Sequence, residues 1–304
     1  MNIAALLFPD FAMIAIGWLL RRYTRWSPDF WVGAEKIVYY VFFPALLFGA
    51  IVRGRLAVAD SLPMLAAAVG AFWVGLLLAY ASKPLLKPDP IQFASGVQCA
   101  FRFNSYMTIA LAQRLGGNEG LAMAAVIASV VVPQANVGAV FALARHSGAG
   151  LFAEIARNPL VLATVAGLAL KSVGLSLPEP VDATLLRLGQ ASLALGLICV
   201  GAGLRFEART DRDPGERART WSFAGWITAT KLVAMPLTAL LVARATALAP
   251  LPAQVAVMFA SMPTASAAYV LASRMGGDGP FVAWLISLSM VGGLLSIPFW
   301  LALV

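Results

Sequence analysis

Long apolar stretches alternate along the chain with short connections that hold most of the charged and turn-forming residues. A helix needs roughly 20 predominantly apolar residues to cross about 30 Å of hydrocarbon. We therefore predict an all-α polytopic membrane protein with ten transmembrane helices. The predicted spans are residues 3–22, 32–52, 62–82, 91–115, 119–144, 159–177, 182–204, 222–244, 252–275 and 280–303.

Composition supports this interpretation and limits where function can lie. Apolar residues make up 61% of the 304 residues, charged residues make up 12%, and the mean hydropathy is +0.83. A soluble domain of this size could not bury so much apolar surface. The longest connection, residues 205–220, is too short for a soluble catalytic or binding domain. Function is expected inside the bilayer, and residues 3–22 are interpreted as the first span because they lack the features of a secretory signal.

Lys and Arg residues are distributed unevenly between the two sides of the predicted membrane. The connections after spans 1, 3, 5, 7 and 9 hold 14 of the 22, the opposite side holds 6, and Arg102 and Lys231 lie within spans. Cytoplasmic loops are enriched in these residues, so both termini are predicted to lie outside the cytoplasm. We expect the membrane to be the bacterial inner (plasma) membrane. The same bias explains the net charge of +8 without a nucleic-acid partner.

A segment of eight residues recurs at an offset of 160 residues. Leu111–Asn118 (LAQRLGGN) matches Leu271–Asp278 (LASRMGGD). Earlier in each half the offset is 150, and it pairs Pro9 with Pro159. The chain is therefore predicted to contain two repeats.

The number of spans in each repeat decides how the repeats are oriented. Residues 1–150 hold spans 1–5 and residues 151–304 hold spans 6–10. Because five is an odd number, the second repeat must enter the membrane from the opposite side, and the repeats are inverted. This arrangement is typical of secondary transporters, whose binding site lies between the repeats near the membrane centre.

Helix-breaking residues occur in the middle of the two spans that carry the repeated segment. Span 9 contains Pro263 within Ser261–Ser266, and a mid-span proline removes a backbone donor and disfavours helix in the residue before it. At the matching position, span 4 contains Phe101–Ser105 with a charge and an Asn-Ser pair. Non-helical backbone at this depth is tolerated only where it is buried in protein or lines a wet cavity. We predict that spans 4 and 9 are broken and cross at the binding site.

Spans 5 and 10 carry a second matched set of small and polar residues. These are Ser129, Pro133 and Asn136 on one helical face, and Ser289, Gly293 and Ser296 at an offset of 160. Such residues also fit close packing between membrane helices. Asn136, three residues after Pro133, is the strongest candidate among them for a binding role.

The chemistry of Arg102 indicates an anion. A charge in mid-span costs at least about 2.5 kcal/mol, and the guanidinium fork matches a carboxylate. The positive N-terminal ends of the broken half-helices would add to its effect. The alternative is an Arg102 that snorkels or bonds to free carbonyls of the broken helix. Lys231 lies nearer the cytoplasmic end of span 8 and is interpreted as a snorkelling side chain.

The motifs together resemble the auxin efflux carrier family of bacterial and plant transporters. The resemblance rests on Met262–Ala265, Tyr269–Ala272, Gly276–Asp278, Arg102–Asn104, Pro133–Val137 and Asn158–Leu160 with Gly167, and it covers nearly the whole chain. Relatives carry Gly-x-Pro soon after the span 4 motif, where this chain has Ile109–Leu111. The break in span 4 could therefore lie at Arg102–Ser105 or nearer Ile109.

The resemblance implies a fold similar to sodium/bile-acid symporters and plant auxin carriers. Spans 1, 2, 6 and 7 would form a scaffold, and spans 3–5 and 8–10 a mobile core that moves like an elevator. It implies organic anions as substrates, malate or malonate for bacterial members and auxin for plant members, and a homodimer formed through the scaffold. The residues assigned to substrate binding are Arg102, Asn104, Ser105, Asn136, Pro263, Thr264 and Ser266, and those assigned to helix breaks are Phe103, Pro133 and Pro263.

The sequence leaves several driving forces for transport open. No Asp or Glu lies near the middle of a predicted span, so a buried carboxylate that carries protons is not predicted. Sodium could bind neutral oxygens, but the carboxylate that usually ligates it is missing. Potential-driven movement of an anion is the simplest option, and a sodium-coupled symporter and a channel-like anion pathway are the alternatives.

An intramembrane enzyme is the least favoured class. Met275–Asp278 has methionine where aspartyl intramembrane proteases have the first glycine of Gly-x-Gly-Asp, and the zinc-protease and nucleophile-elbow motifs are absent. Cys99 and Cys199 fall in apolar spans, and with the single His146 they are too few for a transition-metal site. We expect no enzyme activity, metal or cofactor.

Overall fold

The computed structural model describes residues 3–53, 58–143, 159–174, 177–204, 214–265 and 267–304, and within these ranges it contains helices and no strands. The helices are α1 (Ile3–Tyr23), α2 (Pro28–Ile37), α3 (Phe43–Arg53), α4 (Val58–Leu86), α5 (Pro90–Gly96), α6 (Ser105–Leu143), α7 (Pro159–Ser172), α8 (Glu179–Ala202), α9 (Pro214–Ala229), α10 (Met235–Ala245), α11 (Pro250–Ser261), α12 (Ala267–Arg274) and α13 (Gly279–Ala302).

The predicted all-α membrane class is confirmed for this part of the chain. Six of its helical segments are long and apolar enough to cross a membrane, at Pro28–Arg53, Leu62–Leu86, Pro90–Leu143, Glu179–Ala202, Pro214–Ala245 and Gly279–Ala302. The count of ten spans and the inverted relation of the two repeats stay predictions.

Two short π-helical segments, Val38–Phe42 and Thr230–Ala234, join α2 to α3 and α9 to α10. Each is followed two residues later by a proline, Pro44 or Pro236. A proline has no N–H for the carbonyl four residues earlier, and its ring crowds that carbonyl. The helix therefore widens locally to the i→i+5 pattern, and it continues instead of ending.

Side-chain caps determine where several helices begin. Ser27 accepts a hydrogen bond from Phe30 N at 3.2 Å, and Asp278 accepts one from Phe281 N at 3.0 Å. Asp89 accepts from Ile91 N and Gln92 N, each at 3.0 Å. All three caps precede a proline at the start of their helix, the combination that favours helix initiation.

One compact unit of the described chain lies within residues 1–62, 106–129 and 150–203. It holds α1, α3, α7 and α8, which correspond to predicted spans 1, 2, 6 and 7. Helices α1 and α8 pack closely, because a Cβ at Gly17 or Gly201 would clash with a backbone carbonyl of the other helix. Buried side chains that include Phe43, Leu47 and Ile51 form its apolar core. Arg53 and Asp182 form an ion pair between α3 and α8.

The second unit lies within residues 63–105, 130–149 and 204–304. Its core joins helices α4, α10, α11 and α13 through the buried residues Ala71, Met235, Ala239, Leu240, Val257, Ala260 and Trp300. This unit contains both interruptions predicted in spans 4 and 9. The candidate site can therefore be described within it alone.

Both copies of the repeated segment form a turn between helices. In the first copy, Gly116 (φ −140°, ψ 18°) and Gly117 (φ 55°, ψ −135°) interrupt α6. In the second copy, Gly276 has φ 73° between α12 and α13. Glycine is needed where φ is positive, since a Cβ would be strained there.

The backbone of α6 differs from the sequence-based expectation at Pro133. The helix runs through Pro133 without a break, so the predicted helix break at this residue is wrong. A proline removes a single donor, and in membrane helices neighbouring groups can satisfy the freed carbonyl. Ile109 also lies within α6, so the interruption in span 4 precedes Ser105 and is not near Ile109.

Candidate functional site

The chain leaves helical geometry in span 4 immediately before Arg102. Helix α5 passes into a 3₁₀ turn at Val97–Ala100, and residues 101–104 are not helical. The backbone N–H groups of Phe101 and Arg102 both donate to Gln98 O, at 3.3 and 2.9 Å. Helix α6 then begins at Ser105. The sequence-predicted residues Arg102, Phe103 and Asn104 therefore lie in an irregular segment between two helices.

A matching interruption occurs in span 9. Helix α11 ends at Ser261, and residues 262–265 are not helical. Met262 has φ −62° and ψ 138°, the extended conformation that a following proline favours. Helix α12 begins at Ala267. Pro263 is thus the local cause of the interruption.

Hydrogen bonds join the two interrupted segments. Asn104 N donates to Pro263 O at 2.8 Å. Thr264 Oγ1 donates to Cys99 O at 2.7 Å, and Thr264 N donates to Ser289 Oγ at 3.1 Å. These bonds give partners to backbone groups that the missing helical turns would otherwise leave unsatisfied in a buried position. We call residues 99–105 and 261–265 together the crossing.

Apolar packing supports the crossing from both sides. The rings of Phe103 and Phe259 have centroids 4.2 Å apart. Gly293 of α13 lies against Pro263, where an added Cβ would be 2.9 Å from Pro263 Cγ. The absence of a side chain at Gly293 therefore lets α13 approach the interruption of span 9.

Arg102 is the charged residue of the crossing. Its side chain is half-buried, whereas Phe103 and Asn104 are buried. Arg102 Nη1 donates to Gln98 Oε1 at 3.0 Å. Gln98 Nε2 donates to Ser95 O at 3.1 Å and to Ala268 O at 3.4 Å. Because both carbonyls hold the amide nitrogen, the amide oxygen of Gln98 is directed to the guanidinium.

Gln98 was not identified from the sequence as a residue of the site. It is fully buried, and it positions Arg102 by a hydrogen bond one helical turn away. The signal that could have revealed it is a strongly polar amide four residues before an intramembrane arginine, in an otherwise apolar segment.

The other predicted site residues are only partly brought together. Asn104, Pro263 and Thr264 are buried at the crossing, and Ser105 is half-buried at the first residue of α6. Pro133 and Asn136 lie in α6, but their side chains are outside the described part of the structure, as is the whole of Ser266.

The surroundings of the crossing favour negative charge. Helices α6 and α12 both begin beside it, and the N-terminal end of a helix carries partial positive charge. Arg102 adds a full positive charge at the same place. Thr264 cannot add a hydroxyl donor, since its proton is used by Cys99 O. The positive charge at the crossing therefore suits a carboxylate bound by Arg102.

The interpretation of Lys231 as a snorkelling side chain is not supported by its burial. It lies in the π-helical segment of span 8 and is 0% exposed, so it does not snorkel to a membrane surface. Its Nζ is 3.8 Å from Met235 Sδ. The carbonyl oxygen of the next residue, Leu232, accepts hydrogen bonds from Ser296 Oγ at 2.7 Å and from Trp300 Nε1 at 2.8 Å. Pro236 cannot donate to that carbonyl, so the two side chains of α13 replace the missing bond.

Comparison with known proteins agrees with these features. The chain is 26% identical over 312 aligned positions to a protein of Rhizobium meliloti (strain 1021) named "Putative malonate transporter", and the match covers 97% of this chain and 95% of that protein. A family model described as "Membrane transport protein" matches residues 143–301, which is more than half of the chain. The chain therefore belongs to this membrane transport family, the auxin efflux carrier family that its motifs resemble.

Proposed function

We propose that the protein is a secondary transporter that carries a small organic anion across the membrane by alternating access. The observation that supports this most directly is the crossing, where two interrupted helices meet and Arg102 is half-buried. Discontinuous helices near the membrane centre are typical of substrate sites in secondary transporters.

The proposed substrate is a carboxylate or dicarboxylate such as malonate or malate, or an auxin-like acid. The guanidinium of Arg102 can bind a carboxylate through two parallel hydrogen bonds. The partial positive charge of the helix starts at Ser105 and Ala267 would attract the same anion. The name of the Rhizobium relative makes malonate the first compound to test.

We propose an elevator-like movement in which spans 3–5 and 8–10 carry the site past spans 1, 2, 6 and 7. The hydrogen bonds Asn104–Pro263, Thr264–Cys99 and Thr264–Ser289 support movement of the crossing as one piece. The inverted repeats at residues 1–150 and 151–304 would supply the two equivalent end states.

The membrane arrangement is also part of the proposal. The positive-inside count supports both termini outside the cytoplasm, in a bacterial inner membrane. The family resemblance supports a homodimer formed through spans 1, 2, 6 and 7. Movement of the anion driven by the membrane potential is proposed, and a sodium-coupled symporter and a channel are the alternatives to be separated.

The test is uptake into proteoliposomes that contain the purified protein. Malonate, malate and indole-3-acetate are each offered with a sodium gradient, a proton gradient, a membrane potential or none. Arg102→Gln is compared with Arg217→Gln, which removes an exposed arginine of α9.

We expect saturable uptake of at least one carboxylate, lost in Arg102→Gln and retained in Arg217→Gln. Uptake that does not saturate, together with ohmic current, would favour the channel. Equal uptake by Arg102→Gln and the unmodified protein would exclude the role of Arg102.

A further inference from the structure

Lys231 is a buried basic residue for which the described chain supplies no counter-ion. Its side chain is 0% exposed, and no carboxylate in the described ranges forms an ion pair with it. The polar contact of its Nζ is Met235 Sδ at 3.8 Å, and a thioether is a weak acceptor. An unpaired ammonium in such a place costs several kcal/mol, and an adjacent anion would offset that cost.

Hydrogen bonds from α13 hold the segment that carries Lys231. The π-helical turn at Thr230–Ala234 is maintained by Pro236 and by the bonds from Ser296 and Trp300 to Leu232 O. π-Helical turns inside α-helices frequently occur at functional sites. The position of Lys231 along span 8 is therefore determined by specific contacts.

The same turn contacts the elements of the crossing. It packs against the 3₁₀ turn Val97–Ala100, against α11 before its end at Ser261, and against α13, which carries Ser289 and Gly293. That 3₁₀ turn includes Cys99 and is followed directly by the segment that carries Arg102. Lys231 and Arg102 therefore lie on segments that both adjoin this 3₁₀ turn.

We propose that Lys231 binds one carboxylate of the transported anion while Arg102 binds the other, so that the substrate is a dicarboxylate. This inference rests on the proposed function, and it adds a binding residue and a substrate class. A monocarboxylate would pair with only one of the two cations. The site would then prefer malonate to acetate, since each charge-assisted bond contributes to affinity.

The experiment measures binding by the purified full-length protein in detergent. Dissociation constants for malonate and acetate are obtained by isothermal titration calorimetry, and the melting temperature is recorded without ligand. The variants are Lys231→Gln, Lys231→Met and Lys231→Arg. The control is Lys36→Gln, which changes an exposed lysine of α2.

We expect Lys231→Gln to weaken malonate binding by about 10-fold or more, equivalent to about 1.4 kcal/mol, and acetate binding by much less. Lys231→Arg should keep most of the malonate affinity, and Lys36→Gln all of it. Lys231→Met should melt no lower than the unmodified protein, because it removes a buried charge without leaving a partner unpaired.

Three results would overturn the inference. These are unchanged malonate affinity in Lys231→Gln, equal affinity of the unmodified protein for acetate and malonate, and failure of both Lys231→Gln and Lys231→Met to fold. If the unmodified protein binds and transports none of the tested carboxylates, the proposed function itself fails. If it transports malonate and Lys231→Gln does so equally well, only this inference fails.

Discussion

At the scale of single residues, Thr264 links the two interrupted segments. Its hydroxyl donates to Cys99 O, and both groups are buried. Thr264→Val should leave the Cys99 carbonyl without this donor and lower the free energy of unfolding by about 1–3 kcal/mol. Thermal unfolding in detergent would detect this as a lower melting temperature. Thr264→Ser keeps the hydroxyl and is the matched control, and a Thr264→Val protein that melts like the unmodified one would contradict the assignment.

Single residues also show what the sequence could predict about the site. Arg102, Asn104 and Pro263 were identifiable because a charge, an amide and a proline are unusual in mid-span. Gln98 was missed because its role depends on a contact with Ala268, 170 positions away. Lys231 was misinterpreted because sequence position indicates depth along a span but does not indicate which neighbours cover the side chain.

At the scale of secondary-structure elements, the π-helical turn of span 8 depends on two donors from α13. Ser296 Oγ and Trp300 Nε1 share Leu232 O as their acceptor. Ser296→Ala or Trp300→Phe alone should each lower the free energy of unfolding by about 1 kcal/mol, because one donor remains. The double variant should lose more than the sum, because the buried carbonyl is then left unsatisfied.

Melting temperatures of the two single variants and the double variant measure this coupling. Ser172→Ala is the control, because the Ser172 hydroxyl donates within its own helix, to Ala169 O. Strict additivity of the two substitutions would show that the shared acceptor does not hold the turn.

Close approach between elements gives a second prediction. Gly293→Ala would place a methyl group 2.9 Å from Pro263 Cγ and force α13 away from the crossing. Overpacking of this kind costs about 1–3 kcal/mol, so we expect a lower melting temperature and slower malonate uptake. Gly225→Ala is the matched control, since a Cβ there meets nothing within 4 Å. The assignment would fail if both variants behaved alike.

The positions of the elements were largely predictable, whereas some of their interruptions were not. Pro263 predicted the end of α11 because the residue before a proline avoids helical geometry. Pro133 has the same chemistry, yet α6 continues through it. The difference arises because a proline alone removes one hydrogen bond, and the rest of the helix can remain when neighbours satisfy the freed carbonyl. The 3₁₀ turn at Val97–Ala100 had no comparable sequence signal.

At the scale of the whole molecule, the distribution of charge predicts membrane topology. In a background with Cys99→Ala and Cys199→Ala, a membrane-impermeant maleimide should label Thr246→Cys in intact cells. It should label Leu85→Cys only after permeabilisation, because that connection is predicted to be cytoplasmic. Both positions are exposed in the structure, so access of the reagent depends on the side of the membrane. The opposite labelling pattern would reverse the proposed orientation.

The helical class and the approximate helix positions follow from the length of the apolar stretches, which is why each predicted span contains a helix. The grouping of helices into compact units does not follow from such local signals. Residues 106–129 group with α1, α3, α7 and α8, whereas the preceding residues of span 4 belong to the other unit. This division is determined by contacts between residues that are distant in the sequence. Such contacts produce no local pattern of apolar or polar residues from which the division could be predicted.

The most direct test of the account is counterflow of radiolabelled malonate in proteoliposomes. Vesicles loaded with unlabelled malonate are diluted into a trace of labelled malonate, and the internal label is followed with time. A carrier whose site at the crossing is exposed alternately should produce a transient accumulation of label, and Arg102→Gln should abolish it. Absence of counterflow with the unmodified protein, or full counterflow in Arg102→Gln, would contradict the central claim.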